Sequence, residues 1–129
     1  MPRPSDLRYT DTHLWVRFAA DAATIGITDY AQDQLGDVVY LDLPAIGTTV
    51  TKDQPFGLVE SLKASQELLA PLDGEVVARN EEAVNQPDLL NASPFDRGWL
   101  IAVGSTEPGQ SEELLDAAAY ERLLPSDTA

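Results

Sequence analysis

The punctuation of this chain constrains its fold more than any other feature. Gly, Pro, Asn or Asp recurs at roughly the eight-to-twelve-residue spacing of sheet proteins, and the stretches between are short and apolar. Leu14, Val16 and Phe18 alternate with Trp15, Arg17 and Ala19, which predicts a strand with one buried face. Asp21 opens a turn, and residues 23–27 read as the return strand. Residues 38–43 are strongly β-prone and stop at Pro44. Residues 48–51, 56–61, 66–70, 75–78 and 99–103 complete the set, with a small bend at 62–65. Many short strands of this kind predict an all-β domain, a sandwich or barrel.

Helices are secondary. Thr28 suits an N-cap, Asp29 the first turn, and Gly36 the position just past the end, so a helix of about two turns fills residues 30–35. Residues 80–98 read as irregular, with one helical turn at 81–84. A last helix is expected near 111–124. Ser111 is its N-cap, Glu112 and Glu113 sit at its positive end, and Leu114, Leu115, Ala118 and Leu123 form a core-packing stripe. Gly36-Asp37-Val38-Val39 recurs as Gly74-Glu75-Val76-Val77, the trace that a sheet of two similar halves would leave.

Composition removes whole function classes. With 22 acidic against 8 basic residues the formal net charge is −14. A nucleic-acid binder needs a basic stripe, and an anionic membrane surface would repel this chain. The same charge favours a solvated monomer steered toward basic faces of partner proteins. Cysteine is absent, so no disulfide, thiolate metal site or cysteine nucleophile can form. Histidine occurs once, at His13, which leaves no histidine-based zinc site. No phosphate-cradling loop or nucleophile elbow is present, and the adjacent pairs Glu81-Glu82 and Glu112-Glu113 point apart on any regular element. No catalytic and no metal-binding residue is assigned. No apolar run reaches a membrane span, and the first ten residues lack a signal segment, so a cytoplasmic protein is expected.

One residue stands out. Lysine occurs only at Lys52 and Lys63. Lys52 lies in a polar turn, whereas Lys63 falls at the tip of the hairpin formed by 56–61 and 66–70, followed by the small Ala64 and Ser65. A tip lysine offers an accessible amine on a long flexible stem, and acylating it would make a swinging arm on a rigid scaffold. Exposed turn lysines are ordinarily only solvated, so geometry alone does not make the case. The surrounding pattern does.

Glu60-Ser61-Leu62-Lys63-Ala64 resembles the Glu-Ser-Val-Lys-Ala motif of glycine cleavage system H proteins, and Pro71 and Gly74 follow at the family's spacing. Tyr9-Thr10-Asp11-Thr12-His13-Leu14-Trp15, Gly26-Ile27-Thr28-Asp29-Tyr30-Ala31-Gln32, Leu35-Gly36-Asp37-Val38-Val39, Pro87-Asp88-Leu89-Leu90-Asn91 and Leu114-Leu115-Asp116-Ala117 with Tyr120 resemble further family blocks in order. The resemblance covers residues 6–124 and implies a single lipoyl-carrier domain over 1–129, a barrel-sandwich hybrid of two quasi-similar halves. It implies covalent lipoate on Lys63, with Glu60, Ser61, Leu62, Ala64 and Glu67 as the hairpin read by the lipoylating enzyme, either lipoate ligase or lipoyl synthase. It also implies three partner enzymes. A pyridoxal-phosphate-dependent glycine decarboxylase loads an aminomethyl group, a tetrahydrofolate-dependent aminomethyltransferase removes it, and the flavoprotein dihydrolipoamide dehydrogenase reoxidises the arm. His13 and Tyr30 are candidates for sheltering the loaded arm.

The chain departs from the family pattern at Thr12 and Leu14, where Glu is frequent, and at Ala64-Ser65-Gln66-Glu67, where Ala-Ala-Ser-Asp is frequent. Biotin carriers place methionine beside the lysine and 2-oxoacid dehydrogenase domains have Asp-Lys-Ala, whereas Leu62 and Ala64 flank Lys63 here. The alternative within the same fold is an H-like carrier that relays lipoyl groups to other acceptor proteins.

Overall fold

The computed structural model describes residues 7–18, 22–104 and 114–124. A short strand not expected from the sequence, β1 (Arg8–Tyr9), precedes the expected ones, which form in order: β2 (Leu14–Phe18), β3 (Ala23–Ile27), β4 (Val38–Asp42), β5 (Thr49–Val50), β6 (Pro55–Ser61), β7 (Ser65–Leu69), β8 (Gly74–Arg79) and β9 (Ile101–Gly104). Helix α1 (Asp29–Leu35) separates β3 from β4. Helices α2 (Glu81–Asn85) and α3 (Leu89–Ala92) lie between β8 and β9, and α4 (Ala117–Leu123) comes last. One antiparallel sheet runs β1-β2-β3-β9-β8-β5 and the other β4-β6-β7. Val16, Ile25, Ile27 and Val103 of the first share one apolar cluster with Leu41, Val59 and Leu68 of the second. The result is an open barrel-sandwich with a few short helices.

The internal echo is structural. In both copies the first valine, Val38 or Val76, is buried, whereas the second is exposed, Val39 at 51% and Val77 at 48%. Each strand then shifts register at the same offset, between Val38 and Tyr40 in β4 and between Val76 and Ala78 in β8. An extra residue in one strand rotates the side chains after it, so the two similar four-residue strings coincide with equivalent register shifts in the two sheets.

Three expectations need correction. The alternation at 14–18 predicts one buried face, yet Leu14, Trp15 and Val16 are all buried. The second face of that strand is covered by another cluster, in which Leu7, Tyr9, Trp15 and Tyr120 pack with Phe95, Trp99 and Leu115. The stretch 80–98 is not irregular throughout. Asn80 caps α2 by accepting from the Ala83 N–H, and α3 supplies buried Leu89 and Leu90. The last helix begins only at Ala117, capped by Asp116, because Leu115 is held extended against Tyr9 by two backbone hydrogen bonds of 2.7 and 2.8 Å. Ser111, Glu112 and Glu113 lie outside the described residues. Ala118 and Leu123 are exposed, and Tyr120 anchors α4 instead.

Gly26 shows how tightly the second cluster is fitted. It faces Trp15 in the β2–β3 ladder, and a Cβ there would fall 2.6 Å from the indole Nε1. Trp15 cannot retreat, since it is fully buried and its Nε1–H donates to the Pro94 carbonyl at 2.8 Å. Gly26→Ala is expected to lower stability by about 1–3 kcal/mol through overpacking. Urea unfolding checks this by a lower midpoint at constant slope. Among the described residues no helix is long and apolar enough to cross a membrane.

Candidate functional site

The β6–β7 hairpin positions Lys63. Pairing runs from Pro55–Leu69 to Glu60–Ser65, which leaves Leu62, Lys63 and Ala64 as the loop. Ser61 closes that loop. Its N–H donates to the Ala64 carbonyl at 2.7 Å, and its Oγ accepts from the N–H groups of Ala64 (3.1 Å) and Lys63 (3.3 Å). A serine at a turn commonly organises backbone in this way, so the role of Ser61 in the motif is geometric. The Leu62 N–H reaches out of the hairpin to the Asp37 carbonyl at 3.1 Å. Leu62 itself is 76% exposed, a large apolar side chain beside the lysine. Glu60, half-buried, sits opposite Tyr40 and Ser65, and Glu67 is exposed on β7 opposite Leu58.

Lys63 is exposed, and among the described residues its ammonium has no ion pair. Its stem passes over the end of α1. A Cβ placed on Gly36 would lie 3.5 Å from Lys63 Cε. Gly36 has φ +77°, the left-handed conformation that caps a helix and that glycine adopts without strain. Helix α1 has no basic residue in its last turn, so Lys63 brings a cation toward its partly negative end. The sequence marks Gly36 as a helix stop. That a lysine from another sheet lies across it is a long-range fact that no local pattern carries.

His13 and Tyr30 come together, with ring centroids 4.8 Å apart, at the N-terminal end of α1. Lys63 lies at the other end, about 10 Å away along a seven-residue helix. His13 has φ 72°, unusual for a residue with a side chain, in a turn closed by its N–H to the Thr10 carbonyl (3.1 Å). Its Nδ1 is 2.8 Å from the Tyr120 hydroxyl, which is also 2.8 Å from Thr28 Oγ1. Thr28 Oγ1 accepts from the Ala31 N–H and so caps α1. One phenol from α4 thus fixes both the histidine ring and the helix start. Tyr120→Phe is expected to cost about 1–2 kcal/mol by removing the hydroxyl that bonds both His13 and the buried Thr28. Thermal unfolding reads the loss, and a shifted His13 ring resonance reads its local origin.

Leu14, where the family pattern often carries an acid, is buried in the main cluster. Thr12 instead bonds Thr10, Oγ1 to Oγ1, at 3.0 Å. Beside this turn opens a cleft of about 430 Å³, bounded by Thr10, Asp11 and Thr12 on one side and Leu69, Ala70 and Pro71 on the other. Leu69 is four strand residues past Ser65, about 13 Å, so the cleft is well away from the hairpin tip. Among the described residues no group of three or more His, Cys, Asp or Glu is placed to hold a metal ion.

The sequence profile of the Glycine cleavage H-protein family matches residues 7–127. The chain is 47% identical over 124 residues to the glycine cleavage system H protein of Anaeromyxobacter sp. strain K, covering 96% of this chain and 97% of that protein. It is 45% identical over 127 residues to the glycine cleavage system H protein of Bacillus mycoides, covering 98% and 100%. With the mitochondrial glycine cleavage system H protein 2 of Arabidopsis thaliana it shares 44% identity over 124 residues, 96% of this chain and 80% of that protein. The crystal structure of a glycine cleavage system H protein from Mycobacterium marinum superposes with a TM-score of 0.85 at 35% identity, covering 93% of this chain and 97% of that one.

Proposed function

This chain belongs to the glycine cleavage H-protein family, and on that premise we propose that Lys63 is its lipoyl attachment site and that residues 1–129 form one carrier domain. H proteins are non-catalytic lipoyl carriers of glycine cleavage. The observation that carries the assignment to Lys63 is its setting. An exposed amine, without an ion pair among the described residues, stands at a tight hairpin tip inside Glu60-Ser61-Leu62-Lys63-Ala64.

The residues fit the group. Ser61 locks the loop, Ala64 leaves the approach to the amine open, and Gly36 gives the stem a smooth floor. When bound, the lipoyl group supplies the disulfide–dithiol couple on which an aminomethyl group derived from glycine travels. The chain's own residues present Lys63 to each partner in turn: the decarboxylase, the aminomethyltransferase, the dihydrolipoamide dehydrogenase and the lipoylating enzyme. The net charge of −14 suits basic docking faces on those partners and a cytoplasmic monomer. We assign His13 and Tyr30 to contact with the loaded arm, because their paired rings lie along α1 from the floor beneath Lys63.

The test is the mass of the peptide containing residue 63 from protein made in its native host. A lipoyl increment on Lys63 supports the reading. A biotin increment, or a bare lysine in cells whose other lipoyl proteins are loaded, overturns it.

A further inference from the structure

We propose that Asn91 is a positioning residue for Lys63, holding the shelf against which the lysine hairpin rests. The proposal builds on the reading of Lys63 as the acylated residue. Asn91 lies in α3, far along the chain from the hairpin. Both ends of its amide are engaged. Oδ1 accepts from the Val38 N–H at 2.9 Å, and Nδ2 donates to the Gly36 carbonyl at 2.8 Å and to Gln32 Oε1 at 3.1 Å. Only a primary amide offers an acceptor and two donors in this arrangement.

The groups it ties down are the last turn of α1 and the first residue of β4. Between them lies Asp37, whose carbonyl accepts the Leu62 N–H at 3.1 Å. Leu62 immediately precedes Lys63, so Asn91 fixes the Gly36–Val38 backbone on both sides of the Asp37 carbonyl that receives the hairpin tip. Besides this amide, the shelf is held by the Gly36 N–H on the Gln32 carbonyl (3.0 Å), by the pairing of Val38 with Ser61 and by the buried Val38 side chain. Gly36 sits at φ +77°, and the β4–β6 ladder shifts register directly after Val38. Gln32 braces the amide from below, since its Nε2 donates to the Asp29 carbonyl at 3.1 Å.

An enzyme that grips the tip must find Lys63 in one place. A loosened shelf adds loop-ordering cost to docking and leaves the chemistry of the amine unchanged. Removing the amide should therefore raise KM for acylation and spare kcat. The apolar anchors of α3, Leu89 and Leu90, stay in place, which predicts a local effect.

The test uses the full chain as Asn91→Ala and Gln32→Ala. Two quantities are measured: amide exchange by NMR, and the kinetics of ligase-catalysed attachment of lipoate to Lys63. The buried Leu100 amide, which donates to the Ile25 carbonyl of β3 just before β9 begins, is the reference. In Asn91→Ala the Leu62 amide is expected to exchange about tenfold faster, with Leu100 within about twofold of wild type, and KM to rise severalfold at constant kcat. Gln32→Ala leaves the Gly36 and Val38 bonds and should shift the same quantities by less. It also serves if Asn91→Ala does not fold. Unchanged Leu62 exchange, equal acceleration at Leu62 and Leu100, or a loosened Leu62 with unaltered KM would each overturn the proposal. A wild-type chain that takes no lipoate would remove the carrier reading instead, and exchange at Leu62 against Leu100 would then judge the shelf alone.

Discussion

Lys63→Arg is expected to fold like the wild type and to be wholly unloaded. Arginine keeps the charge near the end of α1 and its stem fits over Gly36, so stability should stay within about 0.5 kcal/mol of wild type, as for an ordinary surface change. The guanidinium is protonated at any working pH and does not attack an activated acyl group. Intact mass should therefore lack the lipoyl increment, and glycine-dependent turnover reconstituted with the partner enzymes should fall to background. The internal control is Lys52, the other lysine, which lies in a turn with its Nζ 3.4 Å from Asp53 Oδ2. Lys52→Arg should load and turn over normally. A lipoyl increment that survives in Lys63→Arg and vanishes in Lys52→Arg would move the arm to the wrong end of the hairpin and defeat the assignment. A loaded wild type that passes lipoyl groups to other proteins but supports no glycine turnover would favour the relay role.

The hairpin was legible because its information is local. Two β-prone arms, a serine before the lysine and small residues after it specify a tip whatever lies beneath. The strands after β1 were readable for the same reason, and so was α1, whose cap Thr28 and stop Gly36 sit within a few residues of the helix they bound. Features that depend on partners distant in sequence could not be read. Leu114 and Leu115 share helical spacing with Ala118, yet Leu115 is extended because Tyr9 pairs with its backbone. Arg17 alternates as a solvent-facing residue should. Even so, its guanidinium lies 4.9 Å from the Trp15 ring centroid and donates to the Phe95 carbonyl at 2.9 Å, helping to cover the face that alternation alone would leave open. Asn91 sits in a helix of four residues, too short to show any periodicity, and its three bonds all go to α1 and its junction with β4. The sequence names the residue that carries the group, and the support beneath it emerges only from the fold.

Trp15→Ala is expected to produce the largest loss of stability and only a small loss of loading. Trp15 has no exposed surface and is the largest side chain of the second cluster, packed with Tyr9 and Tyr120, with Phe95 at a ring-centroid distance of 6.3 Å. Truncation removes most of that volume and leaves the Pro94 carbonyl without its indole donor. Together these should cost about 3–5 kcal/mol, a large share of the stability of a domain this size. Trp15→Phe, which keeps most of the volume and loses the donor, should cost clearly less. The cluster ties α4 to the six-stranded sheet through Tyr120, and Tyr120 in turn holds His13 and Thr28. Damage should therefore spread first to the His13–Tyr30 end of α1. The lysine hairpin belongs to the other sheet, with β6 paired between β4 and β7, and its tip is tied to Asp37 and not to this cluster. Well below its lowered unfolding midpoint the variant should accept lipoate from a ligase at close to the wild-type rate, while the His13 ring signals lose their native shifts. If loading falls as steeply as stability, the two ends of α1 are one cooperative unit, and the site at Lys63 depends on a cluster it does not touch.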